Sequence, residues 1–399
     1  MTNLNYLYNP DAVKDKFDKN HFVDKKLSFS VIERGTVLPH KWTAPPGQWS
    51  FGAGGIVDSQ GEFINNSFIH YGKGGVYTPS PQDIQYRPET VIYLGLFYPV
   101  WGHELTDNIR HVWFLKSETF RTEFKNCPLV YIPWLGSTIE QYQSSRRLRE
   151  LLGVDVGRLQ PITRPTLFDR IILPDESFYS EADNIQKFTA EHRELLESLR
   201  HFAMKNRTPT SSKKLYFFYG RKQIGEERLA EYFKSKGYDI ITHEQRANLD
   251  EELNLLINAE SFASTLGSCA HNSVFLRDNI EVIFIPRSAK ALSPYQLTLD
   301  QFHPSNATYI DSSFSVFNVA YSLYCFVISE QLKKFFGDKF NGYTDADFKI
   351  FLHYFKFAVD NGRDFNPEEV QGYGVALDDF LAQLKNHEYL IAACFRRRN

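Results

Sequence analysis

Short apolar runs alternate with amphipathic segments along most of this chain, and the alternation predicts an α/β fold. The runs are rich in β-branched and aromatic residues, which is typical of buried strands. Strands that alternate with helices form a parallel sheet with helices on its faces. The strands predicted in this way cover residues 90–97, 128–134, 169–174, 214–219, 238–242, 261–265 and 281–285.

Helical spacing of apolar positions predicts helices in the segments between those strands. A β-hairpin is predicted over residues 54–64, because two apolar stretches flank a polar turn that holds Gly61. The most apolar run, residues 316–328, is too short for a membrane span and predicts a buried helix. The predicted helices cover residues 107–116, 144–152, 181–205, 226–237, 250–259 and 272–276, and residues beyond 310 are expected to be mainly helical.

A polar segment without apolar periodicity, residues 206–214, predicts a linker between two domains. A chain of 399 residues has the length of two domains with an appendage. We therefore expect one domain over 1–205 with a β-rich start and a second domain over 206–310. A C-terminal helical segment, 311–399, is expected to pack back on them.

Composition narrows the class of protein. The formal net charge of -3 gives no bulk electrostatic case for nucleic acid as a partner. The four cysteines are scattered without metal-ligand spacing, which fits a reducing compartment, and no secretory signal is visible. A cytoplasmic location is expected, and the basic end FRRRN leaves peripheral association with the inner face of a membrane open.

Aromatic residues make up 15% of the chain. They can form large hydrophobic cores, or they can provide stacking surfaces for sugars or bases.

The first candidate site follows the predicted strand 90–97. His103 and Asp107 are four residues apart and would share one face of a helix. A histidine beside a carboxylate can act as a general base, so both are candidate catalytic residues. Glu104 and Arg110 are further candidate site residues in the same segment. A structural alternative, in which His103 and Asp107 only cap a helix and bond each other, stays open.

The second candidate site combines two loops of the later half. A cationic glycine loop follows strand 214–219, and cations beside glycine can neutralise a diphosphate. A small-residue turn follows strand 261–265, where free amides at a helix start can bind an anion. The alternative for the first segment is an exposed basic loop without a ligand. The alternative for the small-residue turn is tight strand-to-helix packing. The candidate residues of this site are Arg221, Lys222, Glu226, Gly267, Ser268 and Asn272.

Two carboxylates near the C-terminus look like a metal-binding pair but have a simpler explanation. Asp345 and Asp347 follow Thr344, and Asp347 falls at the third helical position, as in a capping box. We interpret them as helix capping. No cofactor and no bound metal are expected elsewhere.

Taken together and in this order, these blocks resemble glycosyltransferase family 61 over roughly residues 54–290. The blocks that carry the resemblance are GGIVDSQGEF, GHELTDNIRHVWFL, RLRELLGVDVGRLQPITRPTLFDRIILP, LYFFYGRKQIGEERL and SFASTLGSCAHNSVFL. The resemblance implies a GT-B-like α/β fold, with two Rossmann-like domains facing a central cleft. It also implies an inverting transfer from a nucleotide-sugar donor to a glycan or glycolipid acceptor without a bound metal. By the same resemblance, residues 1–205 form the acceptor-side domain, with Glu104 and Arg110 as acceptor-side candidates. Residues 206–310 form the nucleotide-sugar-binding domain, and its six candidate residues are donor-binding. A bacterial member in capsule or lipopolysaccharide biosynthesis is the implied setting.

The chain departs from the family pattern at three positions. Leu266 stands where the family usually has His, Cys269 where it has Gly, and Gly225 replaces the Asn of an Asn-Glu pair. Two alternatives therefore remain. One is a non-catalytic glycan- or nucleotide-binding module on a decayed transferase scaffold, and the other is a sugar-phosphate transferase of capsule polymerisation. Donor sugar, nucleotide, acceptor, linkage and oligomeric state are not indicated by the sequence.

Overall fold

A computed structural model gives the structure of the chain, and its contacts divide the molecule into two units. The first unit comprises Asn20–Asn206 and Asn248–Asp250, and the second comprises Met1–Lys19, Arg207–Ala247 and Glu251–Asn399. The division at Asn206 falls within the predicted linker. The residues described are 2–43, 51–68, 75–181, 185–208, 213–220, 223–246, 248–287, 292–302, 305–314, 324–360 and 375–387.

Strands and helices are numbered along the chain. The strands are β1 (Asn3–Tyr6), β2 (Phe29–Glu33), β3 (Thr36–Lys41), β4 (Ala53–Val57), β5 (Gln85–Phe97), β6 (Leu129–Pro133), β7 (Leu159–Pro161), β8 (Thr166–Pro174), β9 (Phe178–Ser180), β10 (Gln186–Phe188), β11 (Lys213–Phe217), β12 (Gln223–Ile224), β13 (Tyr238–Ile241), β14 (Ala259–Thr265), β15 (Glu281–Ile285), β16 (Asn306–Ile310) and β17 (Tyr324–Cys325). The α-helices are α1 (Asp11–Phe17), α2 (Trp101–Glu104), α3 (Gln143–Leu151), α4 (Ala190–Lys205), α5 (Glu226–Ser235), α6 (Leu249–Asn258), α7 (Pro294–Leu299), α8 (Glu330–Phe335), α9 (Asp345–Asp360) and α10 (Val375–Lys385).

The first unit contains a mixed sheet with the order β4-β3-β8-β5-β6-β7, and β2 also pairs with β8. Strands β8, β5, β6 and β7 run parallel, whereas β2 and β3 pair with β8 in the antiparallel sense. Apolar side chains from both parts form one core, with Val37, Val91, Val130 and Phe168 fully buried. The parallel strands thus agree with the predicted α/β pattern, and the antiparallel edge accounts for the β-rich start.

The second unit contains a parallel six-stranded sheet with the order β1-β16-β15-β14-β11-β13. Numbered from β11, five of these strands have the order 2-1-3-4-5, which is a doubly wound α/β arrangement. Helices α5 and α8 pack on one core, where Leu229, Phe233 and Leu332 are buried against Tyr216 and Ile283. The α/β class predicted from the sequence is confirmed for this unit.

The start of the chain belongs with the later half of the sequence. Strand β1 pairs in parallel with β16, and Asn3 lies opposite Thr308. The expectation that residues 1–205 form one domain therefore does not describe the first nineteen residues. The physical reason is that a strand can pair with strands formed by residues far along the chain. Local periodicity does not indicate which distant strand it pairs with.

The predicted strands are confirmed, with boundaries shifted by a few residues. All seven have a counterpart, namely β5, β6, β8, β11, β13, β14 and β15. The predicted hairpin at residues 54–64 is also present. Val57 bridges Phe63 in the antiparallel sense, and Gly61 has a φ of 85° in the turn, a conformation that favours glycine.

Several predicted helices are wrong in extent or type. Residues 107–116 form two short 3-10 helices, Asp107–Ile109 and Val112–Lys116, because most of their side chains are buried and packing overrides the helical period. The helix predicted over 181–205 begins only at Ala190, because the chain before it pairs as β9 and β10.

Two further predictions concern the later part of the chain. The helix predicted at 272–276 is the 3-10 helix Ala270–Phe275, fully buried along its length. Of the predicted buried helix at 316–328, residues 316–323 lie outside the described residues. The remaining part is extended, because β17 pairs with β12. No helix in the described part of the chain is long and apolar enough to cross a lipid bilayer.

Candidate functional site

In the first unit, three neighbouring parallel strands bring their carboxyl ends to one edge of the sheet. Strand β5 lies between β8 and β6, so the segments after Phe97, Pro133 and Pro174 meet there. Ligands of open α/β sheets bind at this edge. The segment after Phe97 contains both candidate catalytic residues.

His103 and Asp107 are hydrogen-bonded to each other through the His103 Nδ1 and the Asp107 Oδ2 atoms. The pair does not share one helix as predicted. Helix α2 ends at Glu104, and Asp107 begins the next 3-10 helix. The two side chains remain 22% and 12% exposed, and both line a small pocket with Phe51 and Tyr98. This bond places a proton on Nδ1 when the ring is neutral and leaves Nε2 to accept one.

Glu104 and Arg110, the two acceptor-side candidates, lie in the interior of the first unit. Glu104 is 1% exposed and accepts a hydrogen bond of 2.8 Å from Arg149 Nη1. Arg110 is 2% exposed, and its Nε lies 3.1 Å from Glu176 Oε1. Buried charges are held by such partners, because an unpaired charge in the interior is costly. These residues therefore stabilise the segment that contains His103 rather than present charge at the surface.

Glu176 is a residue that the sequence-based analysis missed. It follows β8 at the same edge of the sheet, and its side chain is 13% exposed. Burial raises the pKa of Glu176 to about 7, although the Arg110 guanidinium acts in the opposite direction. Asp107 adds to the increase in this pKa, which indicates that the two carboxyl groups are close. Its position directly after a predicted strand was the signal that could have identified it.

In the second unit, the two predicted donor loops follow β11 and β14, which are adjacent in the sheet. The strand order reverses at this pair, because β13 continues on one side and β15 on the other. Such a switch point opens a crevice at the carboxyl ends of the strands. The sheet thus brings together two loops that lie more than forty residues apart in sequence. They are the described part of the loop after β11, residues 218–220 and 223–225, and the turn 266–269.

Glu226 holds the first of these loops from inside. It is fully buried at the start of α5, and its carboxylate accepts hydrogen bonds from Tyr219 N at 3.0 Å and Gly220 N at 2.8 Å. Burial raises the pKa of this carboxyl, and the two backbone donors oppose the increase. Glu226 was predicted to bind the donor directly. The structure gives it a supporting position beneath the loop.

Arg287 supplies a cation that the sequence-based analysis missed. It comes two residues after β15, and its guanidinium lies between the rings of Tyr219 (4.7 Å) and Tyr324 (4.9 Å). The hydrogen-bonding environment orients the Gln223 amide so that its oxygen accepts from Arg287 Nη2 at 2.8 Å. The position of Arg287 shortly after the predicted strand 281–285 is the signal in the sequence that could have identified it.

Gly267 lets this guanidinium approach the backbone. A Cβ atom at Gly267 would lie 2.3 Å from Arg287 Nη2, so any larger residue would displace the cation. Among the described residues, the amides of Gly267 and Ser268 have no hydrogen-bond acceptor. Two backbone donors beside a guanidinium form an arrangement that suits a phosphate group.

Asn272 faces inward and is not part of this arrangement. Its side-chain nitrogen donates to Glu252 Oε1 at 2.9 Å, and both residues are buried. The prediction that a helix start at this turn binds the anion therefore needs correction. The helix is a short buried 3-10 turn, and the N–H groups of Ala270 and Asn272 already donate to backbone carbonyls.

A pocket of about 480 Å³ adjoins the loop after β11 in the second unit. Its size lies within the range of small-molecule sites. Arg228, Lys349 and His353 contribute basic or titratable groups to it. Arg221 and Lys222 fall outside the described residues, so their predicted role stays a prediction. The pocket is lined by Gly220, Gln223, Ile224, Gly225, Glu227, Arg228, Lys349, Ile350 and His353.

The three departures from the family pattern occupy defined structural positions. Gly225 has a φ of 87°, and a Cβ atom there would lie 2.1 Å from the Phe326 carbonyl oxygen. Cys269 is buried, and Arg246 Nη1 donates to its Sγ at 3.1 Å. Leu266 is 3% exposed, and its N–H donates to Ile285 O. All three therefore serve the packing of the loops around the switch point.

The capping interpretation is confirmed for Asp347, whereas Asp345 lies 3.3 Å from His387 Nδ1. Asp347 Oδ2 accepts from Thr344 N at 2.8 Å, and Asp347 N donates to Thr344 Oγ1 at 3.3 Å. Asp347 also pairs with Arg228 at 2.5 Å. Within the described ranges, no group of three or more His, Cys, Asp or Glu side chains could hold a metal ion. The expectation of metal-independent chemistry stays a prediction.

Comparisons with known proteins leave the site to be interpreted from its own geometry. No protein-family model matches the chain. A comparison with curated proteins also gives no significant match.

Proposed function

We propose that this protein is an inverting glycosyltransferase that moves a sugar from a nucleotide-sugar donor to a hydroxyl group of a glycan or glycolipid. The observation that carries the proposal is the Arg287 guanidinium, which lies over Gly267 beside two backbone amides at the switch point of a parallel sheet. A leaving diphosphate needs this kind of fixed positive charge as its bond to the sugar breaks. The proposal includes the two-domain GT-B architecture that the family resemblance implies.

In the proposed donor complex, the diphosphate contacts Arg287 and the amides of Gly267 and Ser268. The adjoining pocket of about 480 Å³ takes the nucleoside. Tyr219 and Tyr324 hold the guanidinium plane in place, because a cation over aromatic faces is attracted by the ring electrons. We propose that this fixed charge makes a bound metal dispensable. EDTA treatment should therefore leave transfer activity unchanged.

On the acceptor side, His103 takes the role of general base and Asp107 orients it. The acceptor oxygen attacks the anomeric carbon while its proton passes to His103 Nε2. The bond between the anomeric carbon and the phosphate oxygen breaks, and the diphosphate leaves with the electron pair. Asp107, bonded to Nδ1, stabilises the resulting imidazolium. Attack opposite to the leaving group inverts the configuration at the anomeric carbon.

A thermal-shift screen against UDP, GDP, CDP, ADP and dTDP tests the donor site. We expect at least one diphosphate to raise Tm, because a ligand of the folded state stabilises it by mass action. Arg287→Ala should abolish the shift. Arg277→Ala is the matched control, since Arg277 donates to Ala259 O at the opposite end of the same sheet. No shift with any diphosphate, or an equal shift in both variants, would reject the proposed donor site.

The cellular setting follows from the resemblance and remains part of the proposal. We place the protein in the cytoplasm, at the inner face of the membrane, where it would extend a capsule or lipopolysaccharide glycan. Once the nucleotide is known, incubation with the nucleotide-sugar and phosphorus NMR of the product distinguish sugar transfer from sugar-phosphate transfer. Binding without donor hydrolysis or transfer would favour the non-catalytic module instead.

A further inference from the structure

Three aromatic side chains of the first unit form a continuous row that ends at the candidate base, His103. Trp134 follows β6, and its ring centroid lies 4.6 Å from that of Tyr98 and 6.4 Å from that of Trp42. Tyr98 in turn lies 4.8 Å from the His103 ring. The interplanar angles of these three contacts are 84°, 73° and 75°, so each ring meets its neighbour edge to face. We call Trp42, Trp134 and Tyr98 the aromatic row.

The outer end of this row is open to solvent. Trp42 is 40% exposed, and Leu135, next to Trp134, is 56% exposed. Leu135 has a φ of 49°, a left-handed conformation that is unfavourable for a leucine. Strained backbone and exposed apolar side chains both occur at ligand-contacting surfaces, and Leu135 combines the two directly after Trp134.

Trp134 provides an independent observation that points to a polar ligand. Its indole Nε1 atom is shielded from solvent and has no acceptor among the described residues. A buried N–H without a partner costs free energy, and most buried tryptophan N–H groups find one. A ligand that combines an apolar face with a rim of hydroxyl oxygens would cover the rings and supply this acceptor. A pyranose ring has these two properties.

We propose that the aromatic row is a binding subsite for a pyranose ring of the acceptor glycan. The sugar stacks on the exposed ring of Trp42, and its binding opens Trp134 Nε1 to one of its hydroxyl oxygens, which accepts the hydrogen bond. The next sugar along the glycan then lies toward Tyr98 and presents its hydroxyl to His103. The acceptor is therefore a chain of at least two sugars. This inference rests on the proposed function, because His103 defines the reacting end.

Saturation-transfer NMR tests the subsite directly on the intact protein. The probes are methyl β-D-galactopyranoside, methyl β-D-glucopyranoside and methyl α-D-mannopyranoside, with irradiation of aromatic protons. We expect transfer to the ring C–H protons of at least one glycoside and loss of that transfer in Trp42→Ala. Trp42→Phe should retain it, because a smaller ring still stacks. Trp134→Phe should weaken it, because the ring remains but the N–H is removed.

Tyr86→Ala is the matched control, since Tyr86 is 51% exposed at the opposite end of β5. It should bind the glycosides as the wild type does. No transfer in the wild type, or the same transfer in Trp42→Ala, would overturn the subsite. The outcome is separable from the donor test, because glycoside contact requires no nucleotide. Diphosphate binding without glycoside contact removes the subsite alone, and the reverse result removes the donor site alone.

Discussion

At the scale of single residues, the His103–Asp107 pair has the geometry of a proton acceptor and its orienting group. The bond joins Nδ1 to the carboxylate, so the remaining nitrogen is the one that can accept a proton. Glu104 and Arg110, from the same segment, form ion pairs in the interior of the first unit. Residue type and spacing predicted His103 and Asp107 as site candidates, and Glu104 and Arg110 were candidates as members of the same segment. Only the tertiary contacts divide the four into two roles.

The role of His103 can be tested by substitution. His103→Ala should lower kcat by about 10²–10⁴-fold, the usual contribution of a positioned general base. Asp107→Asn should cause a smaller loss, because the ring remains but its orientation is less fixed. The measurement is steady-state transfer with the nucleotide-sugar identified by the thermal-shift screen. His201→Ala, a change of an exposed histidine on α4, is the control. Near-wild-type turnover in His103→Ala with an intact fold would contradict the assignment.

At the scale of elements, the second unit is organised by side chains that join loops after different strands. Arg246 donates to Phe218 O, after β11, and to Cys269 Sγ, after β14. Glu226 fixes the loop after β11 to the start of α5. The loops that bear the proposed donor site are therefore held by buried polar groups, which are costly to bury unless paired and so define one geometry.

Helix α6 contributes a carboxyl group whose ionisation should make stability depend on pH. Glu252 is 5% exposed, and burial raises its pKa to about 7, with Arg246 acting in the opposite direction. The folded state therefore binds more protons than the unfolded state between about pH 4.5 and 7. Stability from this group is greatest below that window, falls as pH rises through it and is constant above it.

Replacement of Glu252 by Gln removes this titration and keeps an oxygen that can accept from Asn272. We expect the stability of the wild type relative to Glu252→Gln to fall by up to about 3 kcal/mol between pH 5 and pH 8. Urea unfolding at both pH values measures the difference. Glu251→Gln, a change of an exposed neighbour on α6, should show no such trend. A difference that is independent of pH would contradict the raised pKa.

At the scale of the whole molecule, the second unit combines the first nineteen residues of the chain with its later half. Strand β1 adds an edge strand to the parallel sheet, and Tyr8 N donates to Asp311 Oδ2 at 2.8 Å. Leu7 and Val13 are 7% and 4% exposed within the same region. The first residues of the chain are thus an integral part of the unit that bears the proposed donor site.

Deletion of residues 2–19 should therefore destabilise the second unit, although these residues are far from the donor loops in sequence. The loss of the two buried side chains alone removes about 3–6 kcal/mol of burial free energy. We expect a lower urea midpoint, followed by the loss of nucleotide-dependent stabilisation. Asp15→Ala, a change of an exposed residue of α1, is the control. An unchanged midpoint after the deletion would show that β1 contributes little.

The sequence by itself determined the α/β class, the seven strands and the capping at Thr344, because these depend on interactions between residues close along the chain. It also placed the candidate loops correctly after their strands. Only the tertiary structure decided that β1 joins the later sheet, that Glu104 and Arg110 are paired internally, and that Arg287 is the cation over Gly267. These facts depend on which strands become neighbours and which side chains share a buried space. Periodicity carries no information about either, because such contacts join residues far apart in sequence.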